Sequence, residues 1–158
     1  MADLTDEVER LTRQVQLLED ERAIHRTLVR YGFAVDTDDA PATANLYADD
    51  CVIEIDGGLN VFRGAEGVHA LVNSEAHQAI LPNCAHMMGP FVIDVDGDRA
   101  VATGYACVVV RSGDTFGIWR EGCNRWELER RDGAWRITHR RSVGVGNPGA
   151  QEVLSRGL

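Results

Sequence analysis

Leu4, Val8, Leu11, Val15 and Leu18 recur at alternating steps of four and three, the seam of a short coiled coil. Two heptads are marginal alone, so this seam needs either a partner subunit or a surface of its own domain. The period then shifts: Ile24, Leu28, Tyr31 and Val35 follow the 3.6-residue stripe of a helix lying on a globular core. Together the two patterns predict one helix, with a bend near Glu19–Glu21 and an end near Asp36. Asp38 or Asp39 as cap and Pro41 in the first turn predict a short second helix. "CVIEI" alternates as a strand, "DGGLN" turns, and "AEGVHALVNSEAHQAI" reads as a third helix stopped by Pro82. Beyond it, "AHMMGPFVIDV", "RAVATGYACVVVR", "NRWELERR" and "WRITHRRSVGV" are strands joined by tight Asp/Gly turns, an antiparallel meander. The segment after "GNPGA" reads as a loose polar tail. Helices first and a long antiparallel sheet afterwards predict an α+β domain, and a strongly twisted sheet can curl around the helices and leave a cavity on its concave face.

Composition narrows the chemistry. The chain has 158 residues, 44% hydrophobic and 26% charged, one domain's worth of soluble protein. No apolar run approaches the ~20 residues that span a bilayer. The acidic, polar start "MADLTDEVER" resembles neither a secretory signal nor a transit peptide, so a cytoplasmic location is expected. A net charge of −9 argues against a nucleic-acid partner. All sixteen basic residues are Arg, which excludes a lysine Schiff base and a P-loop lysine. Cys51, Cys84, Cys107 and Cys123 are scattered without a CxxC pair and read as reduced, packed thiols.

"YGFAVDTDD" raises the functional question. Asp36 directly follows Tyr31, Phe33, Ala34 and Val35, residues that favour burial. Either the helix has reached solvent there, or Asp36 faces a cavity and has a partner, since an unpaired buried charge is costly. His86 lies in an apolar strand and reads as a core histidine on pattern alone. Strict alternation puts His139 and Arg141 on the face of Trp135 and Ile137, and Arg140 on the opposite face with Arg136 and Thr138. Tyr31 and Asp36 are five residues apart, ~140° around a helix, so they share one pocket only if the helix ends or distorts near Val35. His69 and His77, eight apart with Glu75 nearby, do not close a metal-ligand set and read as solvated helix residues.

"YGFAVDTDDAPATANLYADDCVIEIDG", "FRGAEGVHALV", "CAHMMGP" and "RWELERRDGAWRITHRR", in this order and spacing, resemble the nuclear transport factor 2-like superfamily and its SnoaL-like, scytalone dehydratase-like group. The resemblance covers about Glu21 to Gly144. It implies a cone-shaped antiparallel sheet wrapped around N-terminal helices and enclosing a pocket. On that basis residues 21–146 form the domain, 1–20 a helical extension and 147–158 a tail. The fold hosts enzymes, binders and assembly subunits alike. Two enzymes of the superfamily use an Asp–His pair, and likeness to one of them at "FAVD" and "CAH" implies that pair at Asp36 and His86. The resemblance also implies a catalytic role for Arg140, with Arg141 and His139 as the alternatives on that strand. Tyr31, Asn124, Tyr47 and Trp119 are the implied substrate-binding residues. The expected chemistry is dehydration, dehydrohalogenation, isomerisation or cyclisation of a hydrophobic oxygenated molecule, without metal or organic cofactor. Alternatives are a small-molecule binder that transforms nothing and an assembly subunit whose cavity is filled. The resemblance further implies a homo-oligomer, dimer or trimer.

Overall fold

The computed structural model describes residues 4–157. In chain order the elements are α1 (Leu4–Asp36), α2 (Ala40–Ala44), β1 (Tyr47–Ile55), β2 (Asn60–Arg63), α3 (Gly64–Val72), α4 (Glu75–Gln78), β3 (Cys84–Asp96), β4 (Arg99–Ser112), β5 (Thr115–Arg131), β6 (Ala134–Gly144) and α5 (Ala150–Ser155). The strands form one curled, unclosed six-stranded sheet in the order β2-β1-β6-β5-β4-β3. β3 to β6 are the expected antiparallel meander, and β1 adds to β6 in parallel.

Helix α1 carries both apolar patterns as one element. Its second half lies on the sheet, with Ile24, Leu28, Tyr31 and Val35 buried. Its first half stands clear of the sheet: Leu4, Val8, Leu11, Val15 and Leu18 are all exposed, so the seam is not covered by the other described residues. Asp20 marks the change. It is 6% exposed and accepts hydrogen bonds from Arg130 Nη2 at 2.7 Å and Trp135 Nε1 at 3.1 Å, fastening the helix to the β5–β6 hairpin. Asp39 caps α2 as expected, accepting from the Ala42 N–H at 2.8 Å.

Strand β3 shows why one sheet face can be wet. Cys84, His86, Met88, Phe91, Ile93 and Val95 are partly buried, while Ala85, Met87, Val92, Asp94 and Asp96 are exposed. Among the described residues, three register shifts bend the antiparallel meander, and a fourth lies between β1 and β6 after Tyr47. Gly89 and Pro90 together oppose Tyr105, Trp119 is an extra residue on β5, and Thr138 is an extra residue on β6.

α1 reaches β3 closely because residue 32 is glycine. A Cβ there would lie 2.6 Å from the His86 carbonyl oxygen and 3.1 Å from Met88 Cγ. Gly32→Ala is expected to cost about 1–3 kcal/mol by forcing helix and strand apart, read as a lower denaturation midpoint. An unchanged midpoint would show that the contact does not set their spacing.

Two elements differ from expectation. The run read as a third helix breaks at Asn73 and Ser74, where Ser74 is extended (φ −63°, ψ 145°), and α4 starts afresh. The segment read as a loose polar tail contains α5, whose Ala150 and Val153 are buried against Cys123 and Val143. Met1–Asp3 of the N-terminal extension and Leu158 of the tail lie outside the described residues. Among the described residues no helix is long and apolar enough to cross a membrane.

Candidate functional site

A cavity of about 370 Å³ opens between the concave face of the sheet, the end of α1 and the α3–α4 segment. Val35, Ile55, Phe62, Leu71, Val72, Met88 and Val108 give it apolar walls, and His77, His86, Asn124, Arg140 and Ser142 bring polar groups. At its rim Asp56 accepts two bonds from Arg120, at 2.7 and 3.2 Å. That guanidinium holds the Asp56 carboxyl below the usual range, burial working against it. The pair therefore neutralises its own charge.

Asp36 answers the question its sequence position raised. It is the last residue of α1, and it turns toward β3 rather than into solvent. Its Oδ1 lies 2.7 Å from His86 Nδ1, and its Oδ2 accepts the His86 backbone N–H at 2.8 Å. Cys84 Sγ donates to the same Oδ1 at 3.5 Å. The His86 ring lines the cavity, and Asp36 sits behind it. Tyr31 and Asp36 thus contribute to one site without sharing a stripe: Tyr31 faces the cavity directly, Asp36 only through the imidazole. Asp36 accordingly meets the cavity only through the ring it holds.

With Nδ1–H held by a carboxylate, Nε2 of His86 is the unprotonated nitrogen. Burial lowers the His86 pKa from 6.5, and Asp36 only partly offsets this; Arg140 and His77 push further in the same downward direction. A neutral imidazole at neutral pH follows. Cys84 is no nucleophile: burial, then the neighbouring Asp36, push its thiol up to about 11.

Arg140 is 8% exposed and lines the cavity. The extra residue Thr138 reverses the alternation along β6, so Arg140 joins Trp135 and Ile137 on the concave face. His139 and Arg141 are thereby turned to the other face, where His139 Nε2 meets Glu54 at 3.0 Å and Arg141 approaches Glu152 at 3.8 Å. Arg140 donates to the Tyr31 hydroxyl at 2.6 Å and to Asn124 Oδ1 at 3.3 Å through both Nε and Nη2. Its guanidinium lies over the Trp126 and Tyr31 rings, 4.4 and 4.9 Å from their centroids. Among the described residues no carboxylate stands within salt-bridge distance of it. A buried cation held only by neutral groups leaves room for an anion or a developing oxyanion.

The other expected binding residues divide. Asn124, fully buried, spends its amide on Arg140 and on the Gly122 carbonyl at 3.0 Å, so it orients the guanidinium. Trp119 stands half-exposed at the cavity wall, on the bulge of β5. Tyr47 does not line the cavity, contrary to expectation. It begins β1 and is buried in the core, edge-on to Tyr31 at 6.2 Å between centroids.

His77 was missed as a cavity residue. On an unbroken helix it would lie ~140° from Val72 and face solvent. The break at Asn73–Ser74 turns it inward, where it is 9% exposed and edge-to-face with His86 at 5.6 Å between centroids. Its Nδ1 meets the Val72 carbonyl at 2.7 Å. His77, Cys84 and His86 each offer an atom that could ligate a metal, all within 4.8 Å of one another. That set differs from the His69–Glu75–His77 grouping that the spacing had argued against. Ser142, buried beside Arg140, was legible only once the bulge is known.

The comparisons agree with this architecture. The chain is 32% identical to an NTF2-like protein with a cystatin-like fold from Novosphingobium aromaticivorans, covering 98% of each chain with a TM-score of 0.87. Two more distant structures share the fold. One is a candidate scytalone dehydratase of the same species, 19% identical over 84% of this chain and 88% of that one, TM-score 0.72. The other is the hexachlorocyclohexane dehydrochlorinase LinA-type3 of Novosphingobium barchaimii, 20% identical over 85% and 92%, TM-score 0.70. No curated protein matches the sequence significantly. The profile of the SnoaL-like domain matches residues 16–141, and the chain belongs to that family.

Proposed function

We propose that the protein is a lyase or isomerase that binds a hydrophobic, oxygenated small molecule and removes a proton from carbon with His86. The observation that carries this reading is the 2.7 Å contact of Asp36 with His86 Nδ1, at a cavity that also holds a buried arginine with no acid partner among the described residues. Nε2 takes a proton from a carbon made acidic by an adjacent carbonyl, or one next to a carbon bearing a leaving group. The C–H electron pair becomes a C=C bond or an enolate. Arg140 and the Tyr31 hydroxyl, whose oxygen accepts from Arg140 and whose hydrogen remains to donate, face the negative oxygen or departing group. In dehydration the imidazolium returns its proton to the leaving hydroxide as water. In dehydrohalogenation the halide leaves as the anion and the proton goes to solvent. Asp36 stabilises the imidazolium between these steps.

The open cavity supports this over an assembly subunit, which would fill it with side chains. The short Asp36–His86 contact supports it over a passive binder. Self-association into a dimer or trimer belongs to the same proposal. It is supported by the exposed seam of α1 and by Met87, Val92, Tyr105, Phe116 and Ile118 exposed on the sheet strands.

The test is proton exchange in D₂O, followed by NMR, on a panel of β-hydroxy ketones and polycyclic ketones. Deuterium should enter the α-carbon, or water should be lost, in the wild type at least tenfold faster than with His86→Gln. Equal rates for the two proteins across the panel would sink the proposal.

A further inference from the structure

We propose that His77, Cys84 and His86 form a site for a thiophilic divalent cation of the zinc class. Each residue presents one ligand atom, and all three atoms lie within 4.8 Å of one another. Both imidazoles are set up as metal ligands usually are, with one nitrogen tied down and the other free. His77 Nδ1 is held by the Val72 carbonyl and His86 Nδ1 by the Asp36 carboxylate, each at 2.7 Å. Their Nε2 lone pairs remain. The His77 Nε2 is buried and has no hydrogen-bond partner among the described residues, an unpaired acceptor that a cation would satisfy.

Two imidazoles and one thiolate are a donor set that zinc accepts in its tetrahedral sites, with the fourth position left for water or a ligand from the cavity. Zinc–nitrogen and zinc–sulfur bonds of about 2.0 and 2.3 Å bring tetrahedral ligand atoms to roughly 3.5 Å apart. Side-chain rotation that shortens separations of up to 4.8 Å to that value closes the set. Binding is balanced by loss of one proton: the Cys84 thiol becomes a thiolate bonded to the cation, and its proton goes to solvent. Asp36 then supports the metallated His86 through Nδ1.

The site has a consequence for the proposed reaction, and that part alone rests on the reading of His86 as a base. Its Nε2 lone pair cannot bind a cation and take a proton together, so the loaded protein is inactive. Metal binding itself is independent of whether any turnover is found.

The test uses the full chain, reduced and freed of metal with a chelator, titrated with Co²⁺ and then Zn²⁺. One equivalent of Co²⁺ should produce strong tetrahedral visible bands and a thiolate-to-cobalt charge-transfer band, both erased by one equivalent of Zn²⁺. Cys84→Ser should lose the charge-transfer band, and His77→Gln should weaken Co²⁺ binding at least tenfold. A wild type with no charge-transfer band overturns the proposal without recourse to any variant. A band that persists in Cys84→Ser overturns it too, because the thiolate would then be Cys51, Cys107 or Cys123. Undiminished exchange activity in the Zn²⁺-loaded protein would remove His86 from the ligand set.

Discussion

His86→Gln is expected to lower kcat by about 10²–10⁴-fold, the usual contribution of a positioned general base. Glutamine keeps much of the imidazole's volume and can still donate to Asp36, so the melting temperature should move little. The pH profile makes the test specific. Burial holds the His86 pKa below 6.5, so the acid limb of kcat/KM should lie below that value. The limb should vanish from the residual activity of the variant. Stability carries the same signature. Unfolded, the imidazole titrates near 6.5; folded, it titrates lower, so between the two the unfolded chain binds more protons. The stability that His86 contributes as a neutral group is complete above about pH 6.5 and is lost as pH falls toward the folded pKa. A variant with full kcat, or with the acid limb intact, would remove His86 from the chemistry.

Asp36→Asn should be nearly as damaging, through a group that never touches the substrate. The carboxylate accepts the His86 Nδ1–H at 2.7 Å and so leaves Nε2 bare. An asparagine can present its amide N–H to Nδ1 instead, and the ring then holds its proton on Nε2, the wrong nitrogen for a base. An error of this kind costs on the order of 10⁴-fold in kcat in a serine protease triad. Stability should fall by about 1–2 kcal/mol, because the amide nitrogen at the Oδ1 position cannot accept from the Cys84 thiol, and the 2.8 Å bond from the His86 backbone N–H, kept by the asparagine carbonyl, loses its charge assistance. Two readouts separate positioning from simple damage. KM should change far less than kcat, and the nitrogen chemical shifts of His86 should report the switched tautomer. Unchanged kcat with an unchanged tautomer would reduce Asp36 to a helix terminus.

The Asp–His pair was legible because both signals are local. "FAVD" ends a helix whose stripe stops at Val35, and "CAH" opens a strand whose alternation puts Cys84, His86 and Met88 on one side. Their meeting was an implication of family likeness, since nothing in either segment measures the distance between them. Arg140 shows where pattern reading stops. Alternation along "AWRITHRR" assigned it to the face opposite Trp135, and one unpaired residue, Thr138, reverses that assignment. A bulge depends on how two strands register, not on the polarity of either. His77 failed for a related reason: the apolar run through Val72 continues plausibly as a helix, and only the turn at Ser74 swings the imidazole inward. Tyr47 was misplaced because a tyrosine hydroxyl suits either a pocket or a packed core.

Short-range periodicity therefore determined most of this protein: the helix that ends at Asp36, the capped turn after it, the meander and its Asp/Gly corners, and the absence of lysine chemistry. Tertiary structure alone decided that β1 lies parallel to β6, that Arg140 is buried with no acid beside it among the described residues, and that His77 faces His86. The division is physical. Periods of 2 and 3.6 follow from the geometry of a few successive residues, whereas bulges, breaks and enclosed charges depend on groups that meet only after the sheet has curled.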